Sequence, residues 1–538
     1  MVSPIFLSLV LPVAVNALSP YVPVPAACPS GPLVRPANGL SDDEETYRVA
    51  RKAVADEGLK AWLLKTNPQF HTDNLPTVAL TTSGGGYRSL LSGAGVIQGL
   101  DGRDSNVSTS GLFQGLTYQA GLSGGSWLLS SFSGNNYPTI SYLKENLWKQ
   151  AFQDSLFDPD YLLAAVAYAD IITDIAEKDL SGFHTTLTDP WGRLLSYQLL
   201  GGSDGGAAVT LSSVAELSNF TSHAVPYPII TSQGVKTWLG ECVPGPNSTV
   251  WEFSPYEFGS WASDVSAFTQ TRYLGTEMQN GAPVGNCTSN YDNLGYVLGT
   301  SSNLFNEVCI SAPDGNGGSN ITDDLVKILD VVHQVGTEDQ YATYRNPFFE
   351  YNSSTGTTNS ANNVSAQENL SLADGGEAGQ NVPLFPLLQP ARNISAIIVN
   401  DNSADTNNYP NGSSLLTTYV QSLNSGLKRM PFIPSVETFL SKGLNKRATF
   451  FGCAEPSKIT IVYLPNANFT FASNVSTFQL QYEKSETDAM IANGVEVASQ
   501  GGKEGWGTCL GCALMMKTGQ ILPDDCQDCF NEYCYYNS

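Results

Sequence analysis

The sequence runs to 538 residues with a formal net charge of −24, and only 14% of it is charged against 41% hydrophobic. Such a chain has ample material for a buried core and is too apolar to be disordered. Its acidic balance repels phosphate backbones, which excludes nucleic acid as an expected partner, and favours an acidic working environment in which protonated carboxylates ease approach to an anionic surface.

Residues 1–17 read as a signal peptide: an apolar stretch from Ile5 to Val15, with Val15 and Ala17 spaced for cleavage after Ala17. That stretch is too short for a membrane span. The C-terminus ends in Cys534-Tyr535-Tyr536-Asn537-Ser538, without the hydrophobic tail of a lipid-anchor signal. Residues 18–538 are therefore expected to form a single secreted module with no membrane anchor.

After a Pro-rich segment, Asp42 to Leu64 reads as a helix and Pro68 to Pro76 as a loop. Thr77 to Thr82 is a short buried strand running into Ser83-Gly84-Gly85-Gly86-Tyr87-Arg88, then a helical stretch to Leu100. A second unit follows, with Leu116 to Ala120 as strand, Gly121 to Gly125 as turn and Ser126 to Ser133 as helix. Strand, tight turn and helix repeated in this way predict an α/β fold with functional groups at the carboxyl ends of the strands. Thr139 to Leu200 is mostly helical, and Gly201 to Pro313, rich in Gly, Ser, Asn and aromatics, reads as inserted or cap structure. Thr322 to Val335 reads as an amphipathic helix, and Ala396 to Val399 and Ile459 to Leu464 as further core strands.

Two counts agree with export. Asn-x-Ser/Thr sequons begin at Asn106, Asn219, Asn247, Asn286, Asn320, Asn352, Asn363, Asn369, Asn393, Asn411, Asn468 and Asn474, each a candidate glycosylation site. The ten cysteines are an even number, as oxidised pairs require. Cys509-x-x-Cys512 followed by Cys526-x-x-Cys529 has the spacing of a zinc ribbon. In an exported chain the disulfide reading prevails, because thiols there are oxidised before they can cage a metal. No metal and no cofactor is expected.

Gly121-Leu122-Ser123-Gly124-Gly125 fits GxSxG between a strand and a helix, which makes Ser123 the candidate nucleophile. The glycines allow the strained turn that lifts the hydroxyl to the end of a sheet. Ser83-Gly84-Gly85-Gly86 supplies free backbone N–H groups for a developing oxyanion, with a plain Gly-rich turn as the alternative. Arg88 lies just beyond, either as a phosphate or anion ligand or as an ordinary surface arginine.

A nucleophilic serine needs a base, and histidine is scarce: His71, His184, His223 and His333. In the order Ser, acid, His, only His333 is placed to serve, and it falls within the amphipathic helix where packing explains it. A carboxylate remains. Asp374 follows a short apolar run and precedes two glycines, a position that suits a partly desolvated base and also suits a simple turn.

These segments together resemble the fungal secreted lysophospholipase/phospholipase B family, whose catalytic module is related to the cytosolic group IV phospholipases. The resemblance is carried by SGGGYR (Ser83 to Arg88), GLSGGSW (Gly121 to Trp127) and DGGEAGQNVPLFPLL (Asp374 to Leu388). It is carried also by LTDPWGRLLSYQL (Leu187 to Leu199), WEFSPYEFGSW (Trp251 to Trp261) and YLGTEMQNGAP (Tyr273 to Pro283). It implies a central mixed sheet flanked by helices, with a large inserted cap over the site. It implies a Ser-Asp dyad of Ser123 and Asp374 acting through an acyl-serine, an oxyanion hole from Gly85 and Gly86, and Arg88 on the head-group phosphate. The implied substrate is a phospholipid or lysophospholipid met at a membrane or micelle surface. The competing readings are a neutral esterase with a conventional triad, which needs an essential histidine, and an inactive wall or lectin-like glycoprotein, which the intact Ser, Asp and glycine loop disfavour.

Overall fold

The computed structural model describes residues 18–157, 164–306, 339–351 and 363–537. The signal segment, the Thr322 to Val335 helix with His333, and the sequons at Asn320 and Asn352 lie outside the described residues.

The strands are, in chain order, β1 (Val24–Ala26), β2 (Val34–Pro36), β3 (Val78–Thr82), β4 (Leu116–Gly121), β5 (Tyr227–Val235), β6 (Val250–Phe253), β7 (Glu257–Ser260) and β8 (Ala267–Gln270). They continue with β9 (Met278–Gln279), β10 (Ala282–Pro283), β11 (Cys287–Ser289), β12 (Ala342–Arg345), β13 (Asn369–Ala373), β14 (Ala396–Asp401), β15 (Thr449–Phe451) and β16 (Thr460–Pro465). Twelve of them form one sheet whose main path runs β15-β16-β14-β3-β4-β5-β6-β7-β8-β2. Its heart is parallel: β16, β14, β3, β4 and β5 all run the same way. Every residue of β3 and β14 is buried, as expected of strands covered by helices on both faces.

Helices α1 (Asp42–Thr66), α2 (Gly86–Leu100) and α3 (Gly124–Gly134) follow the predicted units closely. Ser41 caps α1 by accepting from the Glu44 N–H, and four acidic residues fill its first turn. After β3 the chain passes through α2 to β4 on one side, and returns much later as β14 on the other. The Ser83–Gly86 loop thus sits at the point where the strand order reverses, the usual crevice for a ligand in an α/β sheet.

The stretch from Gly201 to Pro313, read from sequence as inserted or cap structure, instead carries β5 to β8 of the principal sheet and the Leu294–Ser301 helix. The reason is physical: β6 and β7 are four residues long and buried throughout, so they show neither a long apolar run nor the alternation of a half-exposed strand.

One detail of this sheet places the two candidate residues. Along one edge of β5, β4 pairs in parallel up to Gly121 opposite Ile230, and β13 arrives antiparallel from beyond, ending with Ala373 opposite Gln233. β6 holds the other edge across the same residues. The tips of β4 and β13 therefore face each other end to end across a short gap, and the residues just past each tip, Ser123 and Asp374, are delivered into it.

Candidate active site

Ser123 sits at φ 52°, ψ −124°, a left-handed conformation that a residue with a side chain rarely adopts. It is held there by its surroundings. Its N–H donates to Ser301 Oγ (2.9 Å), and its carbonyl accepts from the Trp127 N–H (2.9 Å) and Ser126 Oγ (2.6 Å). This is the geometry of a nucleophile elbow.

The glycine beside it permits the approach of the second turn. A Cβ on Gly124 would lie 2.0 Å from the Gly86 carbonyl oxygen, so the starts of α2 and α3 touch through backbone alone. Gly85 and Gly86 both have positive φ, 140° and 57°. Among the described residues neither of their N–H groups has an acceptor, and the same holds for Gly124 at the start of α3. Two helix N-termini and three free N–H groups thus converge beside Ser123, an arrangement that stabilises negative charge. Gly124, directly after the candidate nucleophile, joins Gly85 and Gly86 as a third candidate donor that the sequence reading did not name.

Asp374 is buried; its N–H donates to the Asn303 carbonyl (2.9 Å), and its Oδ1 accepts from the Gly376 N–H (2.7 Å), capping a short 3-10 turn. The two turns are in contact: a Cβ on Gly375 would come 3.2 Å from Leu122 Cδ1. Asn381, later in the same motif, ties the glycine loop to this turn, accepting from the Gly84 N–H through its carbonyl (2.9 Å) and donating from Nδ2 to Ser403 Oγ (2.7 Å).

Ser123 opens into a pocket whose wall includes Trp127, Trp191, Leu304, Phe305, Phe478 and Leu480. The lining is apolar apart from Ser123, Ser302, Thr477 and backbone, which suits an acyl chain. Among the described residues no histidine lines it.

A family model described as "Lysophospholipase catalytic domain" matches residues 78–538. The chain belongs to that lysophospholipase family. Relatives at full length agree: the chain is 37% identical to Lysophospholipase 2 of Aspergillus fumigatus over 562 residues, covering 97% of this chain and 94% of that one. It is 38% identical to a lysophospholipase of Penicillium chrysogenum, with 97% and 90% covered. The fold matches human GIVD cytosolic phospholipase A2 with a TM-score of 0.71 at 18% identity, over 91% of this chain and 69% of that one. Family membership makes the chain a lipid ester hydrolase, and the apolar pocket at Ser123 is in keeping with it.

In this lysophospholipase-family chain, Arg88 is fully buried and lies one layer behind the pocket wall. It donates from Nε to the Asn402 carbonyl (2.9 Å), from Nη1 to the Val475 carbonyl (2.7 Å) and from Nη2 to Thr477 Oγ1 (2.9 Å). Burial pushes its guanidinium down to about 10. Its Nη2 would lie 2.7 Å from a Cβ on Gly85, so it braces the glycine loop against the Val475–Thr477 strap.

The four cysteines of zinc-ribbon spacing form disulfides, Cys509–Cys529 and Cys512–Cys526, which join two C-terminal helices, Trp506–Met515 and Cys526–Tyr533. Cys28–Cys287 and Cys453–Cys534 are also bonded. Among the described sequons Asn106, Asn247, Asn286, Asn363, Asn369, Asn393 and Asn468 are exposed, while Asn219, Asn411 and Asn474 are half-buried. No described helix is long and apolar enough to cross a membrane.

Proposed function

We propose that the chain is a secreted lysophospholipase/phospholipase B that releases fatty acid from lysophospholipids and phospholipids through a Ser123–Asp374 dyad. The observation that carries this reading is Ser123, held at positive φ on a strand-to-helix elbow, opening into an apolar pocket beside free backbone N–H groups. A carboxylate delivered from the facing strand tip is then the base at hand.

The reaction runs in two halves. Ser123 Oγ attacks the acyl carbonyl carbon while its proton passes to the Asp374 carboxylate. The oxygen of the tetrahedral intermediate takes its negative charge toward the N–H groups of Gly85 and Gly86. The C–O bond to the glycerol breaks, the leaving alcohol takes the proton from Asp374, and the acyl group remains on Ser123. Water then attacks the ester, giving its proton to Asp374; collapse releases the fatty acid and returns that proton to Ser123 Oγ.

Asp374 is buried and its Oδ1 is fixed by the Gly376 N–H, so the carboxylate is held in one orientation beside the elbow. Arg88 serves in this reading to hold the glycine loop in place. The head-group phosphate is the weaker reading for Arg88, because each nitrogen of its buried guanidinium already donates to a protein acceptor. Substrate is met at a membrane or micelle surface. Secretion is supported by the bonded cysteines and by sequons of which none that is described is buried.

The test is fatty-acid release from lysophosphatidylcholine. Ser123→Ala and Asp374→Asn should each remove it while the protein stays folded, and a fully active Ser123→Ala would sink the reading.

A further inference from the structure

The Leu294–Ser301 helix runs into three consecutive buried polar residues, Ser301, Ser302 and Asn303. Burying a polar group is costly unless it is hydrogen-bonded. All three are bonded, each in a different direction, and each direction ends on a part of the site.

Ser301 Oγ donates to the Thr231 carbonyl (2.7 Å) and accepts the N–H of Ser123 (2.9 Å). Thr231 lies on β5 between Ile230, the partner of Gly121, and Gln233, the partner of Ala373. The hydroxyl therefore stands in the gap between the two strand tips and replaces the ladder bond that is missing there. Ser302 Oγ accepts from Trp127 Nε1 (2.9 Å) and Trp191 Nε1 (3.1 Å) and donates to the Leu298 carbonyl (2.9 Å). One oxygen thus fixes both indoles of the pocket wall. The Asn303 carbonyl accepts the Asp374 N–H (2.9 Å), and its side chain donates to the Gln340 carbonyl (2.9 Å) and accepts from the Phe305 N–H (3.0 Å).

A helix end that needed only a cap would be satisfied by one such residue or by water. Here adjacent residues of one segment hold the nucleophile, the pocket wall and the base, and a fully satisfied buried network is rigid. We infer that Ser301-Ser302-Asn303 is a positioning segment that sets Ser123 against Asp374 and shapes the acyl pocket, so that it governs both turnover and acyl-chain selectivity. The inference rests on the reading of Ser123 and Asp374 as the dyad.

Wild type, Ser301→Ala, Ser301→Thr, Ser302→Ala and Ser123→Ala are to be compared on lysophosphatidylcholines with one short and one long acyl chain, with unfolding midpoints measured alongside. Ser301→Ala should lower kcat about 10-fold at unchanged KM, as expected for one lost hydrogen bond to a group that must be held in place. Ser301→Thr, which keeps the hydroxyl, should recover most of the loss. Ser302→Ala should change the long-to-short ratio of kcat/KM by about 5-fold or more, because the freed indoles no longer define one pocket shape. A wild-type kcat in Ser301→Ala, or an unchanged ratio in Ser302→Ala, overturns the inference. If Ser301→Ala does not yield folded protein, the Ser302→Ala ratio decides alone. An active Ser123→Ala would instead overturn the dyad on which the inference rests.

Discussion

Arg88 Nη2 donates to Thr477 Oγ1 across 2.9 Å, and Thr477 lines the pocket into which Ser123 opens. The contact binds the glycine loop to the strap over the pocket. Replacing Arg88 by Ala would leave buried acceptors unpaired, at about 1–3 kcal/mol each, and free the loop to move. Arg88→Ala is expected to lose at least ~10-fold in kcat/KM on lysophosphatidylcholine and a comparable factor on a neutral short-chain ester. A loss confined to the phospholipid would assign the guanidinium chiefly to the head group.

Gly124 tests the contact between the two helix starts. A Cβ there would meet the Gly86 carbonyl oxygen at 2.0 Å, and backbone on both sides leaves nothing free to move aside. Gly124→Ala is expected to cut activity by more than ~100-fold and to lower the melting temperature. Gly31, where an added Cβ would meet nothing within 4 Å, is the control, and Gly31→Ala should behave as wild type.

Asp401 makes stability depend on pH. It is buried at the carboxyl end of β14, where desolvation, reinforced by the nearby Asp405, pushes its carboxyl up to about 6. Its Oδ1 accepts from the Ser403 N–H and hydroxyl, and its Oδ2 from the Tyr463 hydroxyl (3.0 Å). A carboxyl raised in the folded state binds protons there that the unfolded chain, near ~3.9, does not. Stability should therefore fall as pH rises from about 4 to 6, and the folded protein should be favoured in mild acid. Asp401→Asn should flatten that slope in melting temperature and raise the value at pH 7. An unchanged slope would remove Asp401 as its source.

The C-terminal cysteines are tested by paired removal. Cys512–Cys526 closes a loop with a sequence separation of 14, for which chain-entropy arguments give about 3 kcal/mol. The Cys512→Ala/Cys526→Ala double variant should lose about that much in denaturant unfolding. A chelator should leave the wild type unaffected; unfolding on chelation would restore the zinc ribbon.

Much of the centre of this fold is legible because its strands and turns obey simple rules. Thr77 to Thr82 and Leu116 to Ala120 are short segments of β-branched, aliphatic and aromatic residues with few polar breaks, directly before glycine turns, and both proved to be strands of the parallel core. The Ser123 elbow was legible for the same reason. Less legible were elements whose role depends on distant partners. β6 to β8 are almost wholly buried in the antiparallel half of the sheet and show no period. Ser301, Ser302 and Asn303 form no motif; they matter because β4 and β13 stop short of each other on β5, a register that local pattern does not encode. Trp191, within LTDPWGRLLSYQL, carried a signal in that block, but its pairing with Trp127 across Ser302 is tertiary. The expected surface or phosphate-facing position of Arg88 likewise gave no hint that Asn402, Val475 and Thr477 close around it.

The dyad is tested most directly by covalent labelling with a fluorophosphonate, followed by mapping of the modified residue in wild type and in Asp374→Asn. Labelling should fall on Ser123 in the wild type and slow by at least ~100-fold in Asp374→Asn, because the attacking hydroxyl has lost its base. Label on another residue, or a rate on Ser123 unchanged by Asp374→Asn, would contradict the Ser123–Asp374 mechanism.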